Sequence, residues 1–99
     1  MKIFIKGQKY NIEVRDFIDK GDTAGEIDKI GKQILIAKDS LDINHTILHE
    51  LTHAFFYECG LYEECSKEGL VNRIAHHIPE IVKVYEKIKV SELYQELKN

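Results

Sequence analysis

Residues 42–60 read DINHTILHELTHAFFYECG and predict a helix around which the rest of the chain can be placed. Asp42 is the favoured N-cap, ahead of Ser40 and Asn44, because its side chain can accept a hydrogen bond from a free amide of the first turn. Gly60 is typical of the position just after a helix, so the helix is expected to stop there. Helical spacing predicts a buried stripe of Ile47, Leu51, Ala54 and Phe55.

Within this helix, His49-Glu50-Leu51-Thr52-His53 has the HExxH pattern. Histidines four residues apart lie one turn apart on the same face, so both imidazoles can reach one metal ion. Glu50 would lie beside them, close enough to accept a proton from a water molecule on that ion. The motif therefore predicts a zinc-dependent metallopeptidase with Glu50 as general base. The alternative is an amphipathic helix with two incidental histidines.

A catalytic zinc ion usually takes three protein ligands, and the two histidines supply only two of them. The third is expected among the downstream carboxylates, of which Glu58 should point away because it lies five residues after His53. Glu68 is the favoured ligand, since it opens the next helix after a turn short enough to reverse the chain. Glu63 and Glu64, in the turn itself, remain the alternatives.

The other histidines have less specific interpretations. His45 also lies four residues before His49, but Thr46 follows it and cannot act as a base, so His45 is expected to be a surface residue. His76 and His77 could donate a hydrogen bond to a developing oxyanion, or could simply interact with carbonyls at a helix end. A closed structural site that includes Cys59 and Cys65 is disfavoured, because their spacing matches no zinc ribbon or finger.

The N-terminal third predicts two β-hairpins. Residues 2–6 and 10–14 alternate apolar and polar side chains around Gly7, and residues 26–30 and 33–37 flank a turn near Gly31-Lys32. Residues 16–25 are expected to form a loop. The strongest strand signal comprises Gln33, Ile34, Leu35, Ile36 and Ala37. We predict that this strand is the sheet edge that receives an extended peptide substrate, the alternative being a central core strand.

Two more helices are expected after the HExxH helix. The first runs from Ser66 to about Ile78, and Pro79 should interrupt it and begin the second, which extends over 79–97. That last helix is expected to pack on the core. Strands followed by helices give an α+β class: a small N-terminal antiparallel sheet of two hairpins, packed on a three-helix C-terminal part, in a single domain over residues 1–99.

Composition excludes several classes of function. The 99 residues carry a formal net charge of −3 without a basic block, which argues against a nucleic-acid partner. No apolar run approaches the length of a membrane span, and the first residues lack the apolar core of a signal peptide. Two cysteines are too few for a disulfide framework, so a cytoplasmic location is expected. The expected partner is a peptide or protein substrate.

The chain resembles the small gluzincin-like metallopeptidases of the ImmA/IrrE kind, common among phage and mobile-element proteins. The resemblance rests on residues 48–53, on Gly60 and on the segment 68–75, which reads EGLVNRIA. It implies Glu68 as an acidic zinc ligand, Asn72 one turn later as a partner behind the ligands, and Ala75 as a small residue beyond. The chain departs from the family pattern at Gly69, where members often carry a further glutamate.

The sequence therefore predicts a compact zinc metallopeptidase with His49, His53 and Glu68 as ligands and Glu50 as base. One rival is a catalytically silent, metal-stabilised phage regulatory or binding protein, and another is an interaction domain without metal. The intact Glu50 favours the enzyme, because a purely structural site has no use for a base at that position.

Overall fold

The computed structural model describes residues 1–21 and 23–98, so Asp22 of the predicted loop and the last residue of the sequence, Asn99, lie outside it. The strands are β1 (Lys2–Ile5), β2 (Gln8–Arg15), β3 (Gly25–Asp28) and β4 (Gln33–Ala37). The helices are α1 (Ile43–Glu58), α2 (Tyr62–Cys65), α3 (Glu68–Lys89) and α4 (Glu92–Lys98). A sheet at the N-terminus followed by helices confirms the predicted α+β class.

The four strands form one sheet in the order β1-β2-β4-β3. Both predicted hairpins are present, since β1 pairs with β2 and β3 with β4 in antiparallel fashion. However, β2 and β4 are parallel, so the sheet is mixed and the prediction of a wholly antiparallel sheet is wrong. The reason is that the second hairpin docks through β4, the more apolar of its two strands, which thereby gains a neighbour on each side.

The two hairpin turns follow from their local sequences. Lys6 and Gly7 both have positive φ, at 51° and 81°, as the turn of a two-residue hairpin requires. In the second turn, Asp28 Oδ1 accepts hydrogen bonds from the amides of Ile30 and Gly31, at 3.1 and 2.8 Å. A Cβ at Gly31 would lie 2.4 Å from Asp28 Oδ2, so a larger residue there would displace the Asp28 carboxylate. The turn lies where the sequence predicted it.

The apolar face of the sheet packs against α1. Side chains that alternate along the strands point to the same face, which explains why residues two apart are buried together. The buried core comprises Ile5, Tyr10, Ile34, Ile36 and Ala54. Partly buried residues around it are Ile3, Ile12, Ile27, Ile47 and Leu51. Ala54 is the residue that α1 contributes to this buried apolar cluster, and its small side chain lets the helix approach the sheet closely.

Polar contacts fix both ends of α1. Asp42 Oδ1 accepts a bond from the amide of His45 at 3.0 Å, which confirms the predicted N-cap. At the other end Gly60 has φ 77°, and the Leu61 amide bonds the Phe56 carbonyl at 2.9 Å, the reversed geometry typical of a glycine-terminated helix. The helix is therefore held in a defined register over the sheet.

Glu58 points away from the histidines, as predicted, and ties the end of α1 to the sheet. Its Oε1 accepts a hydrogen bond from the Tyr10 hydroxyl at 3.0 Å and forms an ion pair with Lys32. Lys32 in turn holds the pKa of the Glu58 carboxyl below its ordinary value. This anchor fixes the depth at which α1 lies across the strands.

Helix α3 runs through Pro79, so the predicted break at that residue is wrong. Proline cannot donate to the carbonyl of Ala75, but its φ is compatible with a helix, and the loss of one bond does not end α3. The contacts of Glu68 with His53 and of Asn72 with His45 show that α3 lies antiparallel to α1. Ala75, 1% exposed, lies at their contact.

The C-terminal arm (residues 79–98) extends beyond the core. α3 has 22 residues and α1 only 16, so α3 continues past the start of α1, and the molecule measures 53 × 29 × 27 Å. The exposed apolar residues of the arm are Ile81, Val82, Val84, Tyr85, Ile88, Val90, Leu93 and Leu97. The prediction that the last helix packs on the core is wrong, because helical spacing of apolar residues does not specify what they contact.

Ending the chain at Ile78 should leave the domain folded. The deletion removes none of the buried core residues and no side chain that contacts His49 or His53. We expect the melting temperature to change by no more than a few degrees and solubility to rise, since exposed apolar surface is lost. Circular dichroism melting of the full and shortened chains measures this. An unfolded shortened chain would show that the arm contributes to the fold.

Candidate metal site

The two histidines of the HExxH motif face α3 from neighbouring turns of α1. Their Nε2 atoms are 3.2 Å apart, and their rings meet edge to face with centroids separated by 4.8 Å. His53 is 5% exposed and His49 is partly buried. Histidine spacing along one helix thus produces the converging pair of nitrogen atoms that the sequence predicted.

Glu68, the first residue of α3, completes the convergence. Its Oε2 lies 3.0 Å from His49 Nε2, and its Oε1 lies 3.0 Å from His53 Nε2. The short helix α2 and the turns on either side of it reverse the chain so that α3 begins opposite His53. The fold therefore brings together the three side chains that the sequence proposed as ligands.

The alternative ligands in the turn lie elsewhere. Glu63 pairs with Lys67 at 3.6 Å on the exposed outer side of the turn. Over residues 1–21 and 23–98, neither Glu63 nor Glu64 forms a hydrogen bond or ion pair with His49 or His53. The geometry thus favours Glu68 over both.

Glu50 lies buried beside the histidines and is 4% exposed. Its Oε2 has no hydrogen-bond partner among the described residues. Burial, followed by the negative charges of Glu68 and Glu26, raises the pKa of Glu50 from its ordinary 4.5 to about 7. A buried carboxyl without a partner is costly for a fold, so this position has a reason other than packing.

The donor atoms of His49, Glu50 and His53 lie within 4.8 Å of one another and could hold a metal ion. The unpartnered Oε2 of Glu50 and the converging Nε2 atoms fit such an ion, since Oε2 has no partner among the described residues and each neutral imidazole can direct a lone pair at the ion. Imidazole and carboxylate donors suit several divalent transition metals, zinc among them. The residues present therefore fit a metal site.

A second group of side chains lies between α1 and α3, in a cleft next to the histidines of the motif. His45 Nε2 lies 3.4 Å from Asn72 Oδ1, and the His45 ring lies 6.4 Å from that of His76 and 6.1 Å from that of His49. Asn72 and His76 follow Glu68 at successive helical turns, so they share its face of α3. His45 is partly buried in this cleft and not a free surface residue as expected, because its four-residue spacing places it on the same face of α1 as His49.

His77 does not join this group. Its ring packs against His76, with centroids 5.1 Å apart, and it borders a shallow depression formed with Glu80, Ile81 and Val84 on the arm. Successive residues of a helix point about 100° apart, so both histidines cannot face the same cleft. Of the two predicted donors, only His76 lies near the site.

The strand Gln33–Ala37, predicted as the substrate edge, is β4 and lies at the centre of the sheet. Pairing with β2 and β3 uses both of its sides, so it cannot accept a peptide. The edge beside the site is β3. A Cβ at Gly25 would lie 2.7 Å from Thr46 Cγ2 and 3.1 Å from Glu50 Cγ, which shows how closely β3 approaches the motif.

Replacing Glu50 by Gln should stabilise the metal-free protein at alkaline pH. A pKa raised from 4.5 to about 7 means that the folded protein favours the protonated carboxyl. The stability that this carboxyl contributes is fully present below pH 4.5 and is lost as the pH rises through 7. Gln avoids that loss, so we expect E50Q to gain on the order of 1–3 kcal/mol at pH 8 and almost nothing at pH 4.5.

Melting temperatures in chelator at both pH values test this expectation. Glu86→Gln is the matched control, since it removes an exposed carboxylate on the C-terminal arm, away from Glu50. An equal gain for E50Q at both pH values would show that ionisation of Glu50 has no part in the effect.

No protein-family model, curated protein or solved structure matches this chain. Within the described part of the chain, none of the helices combines the length and apolar character needed to cross a membrane. The case for a function therefore rests on the geometry of His49, Glu50, His53 and Glu68.

Proposed function

We propose that this chain is a small zinc-dependent metallopeptidase in which His49, His53 and Glu68 hold the ion and Glu50 is the general base. The observation that carries the proposal is the convergence of two imidazole nitrogens and one carboxylate, each 3.0–3.2 Å from its neighbours. Three protein ligands leave a position for water, as in catalytic sites. Zinc, when bound, would polarise the scissile carbonyl and lower the pKa of that water.

Glu50 has the properties of a proton carrier. Its Oε2 is free of other partners among the described residues, so it can accept a proton from the attacking water and return it to the leaving amine. Burial raises the pKa of Glu50 to about 7 in the metal-free protein, and the positive charge of a bound zinc ion would lower it again, so that the carboxylate is ready to accept a proton. Burial also keeps bulk water away from the transferred proton.

The second group in the cleft would bind the developing oxyanion. His76 and His45 line the cleft beside His49, and ring N–H groups there can donate to an oxygen that gains negative charge. Asn72 contacts His45 Nε2, so its role would be to orient that ring. Asn72 thus acts behind the reacting groups.

Strand β3 would bind the peptide. The Ala37 amide donates to the Ala24 carbonyl, and in an antiparallel pair every second residue bonds to its partner strand. The backbone groups of Gly25 and Ile27, which lie between the bonded positions, therefore point away from β4. These groups form the open edge nearest Glu50. An extended peptide added there would hydrogen-bond through its own backbone and lie along the cleft.

The proposal includes the resemblance to peptidases of the ImmA/IrrE kind and their association with phages. It is supported by Gly60 at the end of α1, Glu68 beside the histidines and buried Ala75 where α1 meets α3. A cytoplasmic location belongs to the same proposal, since Cys59 and Cys65 are both free thiols.

The decisive experiment is metal analysis of protein purified without chelator, followed by cleavage of casein and of a peptide library. We expect about one zinc ion per chain, cleavage that chelator abolishes, and recovery when zinc is restored. Zinc binding without cleavage would favour the metal-stabilised binding protein. Absence of any bound metal would overturn the whole proposal.

A further inference from the structure

Cys65, the last residue of α2, lies directly behind His53 and is 1% exposed. Its Sγ lies 3.3 Å from the His53 carbonyl oxygen and 3.7 Å from His53 Nδ1. The ammonium group of Lys29 lies 3.8 Å from the same sulfur. One thiol thus meets three polar groups, and two of them belong to a proposed ligand.

The proton positions follow from the chemistry of a ligating imidazole. To bind a metal, His53 Nε2 must carry a lone pair, so the single ring proton of the neutral imidazole must lie on Nδ1. Because His53 is buried, that Nδ1–H needs an acceptor within the protein. Sulfur is a weak acceptor but lies within reach, since its own proton can go to the His53 carbonyl.

This assignment satisfies every group around the thiol. The S–H donates to the His53 carbonyl, while the sulfur lone pairs accept from His53 Nδ1–H and from Lys29. A histidine that binds a metal through one ring nitrogen usually donates a hydrogen bond from the other. Loss of the acceptor of that bond typically lowers metal affinity 10- to 100-fold. This contact could not be predicted from the sequence, because Cys65 lies 12 residues from His53 and outside the motif.

We propose that Cys65 is the positioning residue for His53: it fixes the tautomer and the ring orientation that present Nε2 to the metal. This inference rests on the metal site of the proposed function and not on peptidase activity. Cys65 itself touches neither substrate nor reacting atoms. The other cysteine, Cys59, is exposed at the end of α1 and provides a matched control.

The test is zinc affinity, measured by competition with a chromophoric chelator, for C65A, C65S and C59A. We expect C65A to bind zinc 10- to 100-fold more weakly than the parent, C65S to lose less because a hydroxyl can still accept, and C59A to be unchanged. Melting of the metal-free proteins reports packing separately. A folded C65A that binds zinc within threefold of the parent would overturn the proposal.

A measurement on the parent protein can overturn the proposal even if C65A does not fold. In the nitrogen-15 spectrum of the zinc-loaded protein, the His53 ring proton should lie on Nδ1. A His53 ring that binds zinc through Nδ1 would overturn the role of Cys65 while leaving the metal site intact. A parent protein that binds no zinc would instead overturn the proposed function, and this inference with it.

Discussion

Replacing Glu50 by Gln is expected to lower the rate of peptide cleavage at least about 100-fold while leaving zinc bound. Gln has the size of Glu, so the packing of α1 against β3 is retained. It cannot accept a proton from the attacking water, so the step that generates the nucleophile is lost. Because the proposed ligands are His49, His53 and Glu68, none of them changes in this variant.

The two readouts separate the roles that Glu50 could have. Cleavage by E50Q at the parental rate would show that Glu50 is not the base. Loss of zinc from E50Q would make Glu50 a ligand, which its distance from the histidines permits. Glu86→Gln, on the exposed C-terminal arm, should retain both activity and zinc. A variant that gains stability at pH 8 and loses activity would identify a residue kept for chemistry at the expense of the fold.

The sequence predicted the local part of the site because helix geometry alone produces it. Four-residue spacing places His49 over His53, and Asp42 and Gly60 mark the limits of α1. The position of Glu68 required one further step, that a short turn reverses the chain into an antiparallel helix. This step involves few residues and leaves few alternatives, and the geometry agrees with it.

The order of the strands could not be predicted in the same way. A period of two identifies which side chains share a face, but it does not say which strand lies beside which. The second hairpin could dock through β3 or through β4, and the sequence favoured an open edge for β4. Pairing with β2 on one side and β3 on the other places β4 centrally instead. Because of this error, the peptide-binding edge was predicted at β4 instead of β3.

The C-terminal arm and Cys65 show two other limits of sequence patterns. An apolar stripe from Ile81 to Ile88 indicates an amphipathic helix, yet the same stripe fits a buried helix and a projecting one equally well. The contact of Cys65 with His53 depends on the path of the turn between them, which no spacing rule describes. Tertiary contacts decide both, so only the structure reveals them.

Replacing Glu68 by Gln is expected to weaken zinc binding by roughly 100-fold or more, because it removes one of three ligands. The carboxylate contacts both Nε2 atoms at 3.0 Å, whereas a neutral amide is a poor donor to zinc. As a mere first-turn carboxylate, Glu68 would contribute only about 0.3–1 kcal/mol to stability through the helix dipole. The two roles therefore predict different zinc affinities for Glu68→Gln, and not only different melting temperatures.

Glu63→Gln and Glu64→Gln are the matched controls, since each removes one carboxylate from the turn a few residues earlier. Both should bind zinc as tightly as the parent, and their metal-free melting temperatures should lie close to that of Glu68→Gln. Zinc affinity by chelator competition and melting with and without zinc are measured for all four proteins. If Glu68→Gln keeps the parental zinc affinity while a turn variant loses it, the third ligand lies in the turn and α3 supplies none. If all three variants keep the parental zinc affinity, His49, His53 and buried Glu50 are the better set of ligands. Glu50 would then be bound to the metal, and no free carboxylate would remain to act as the base.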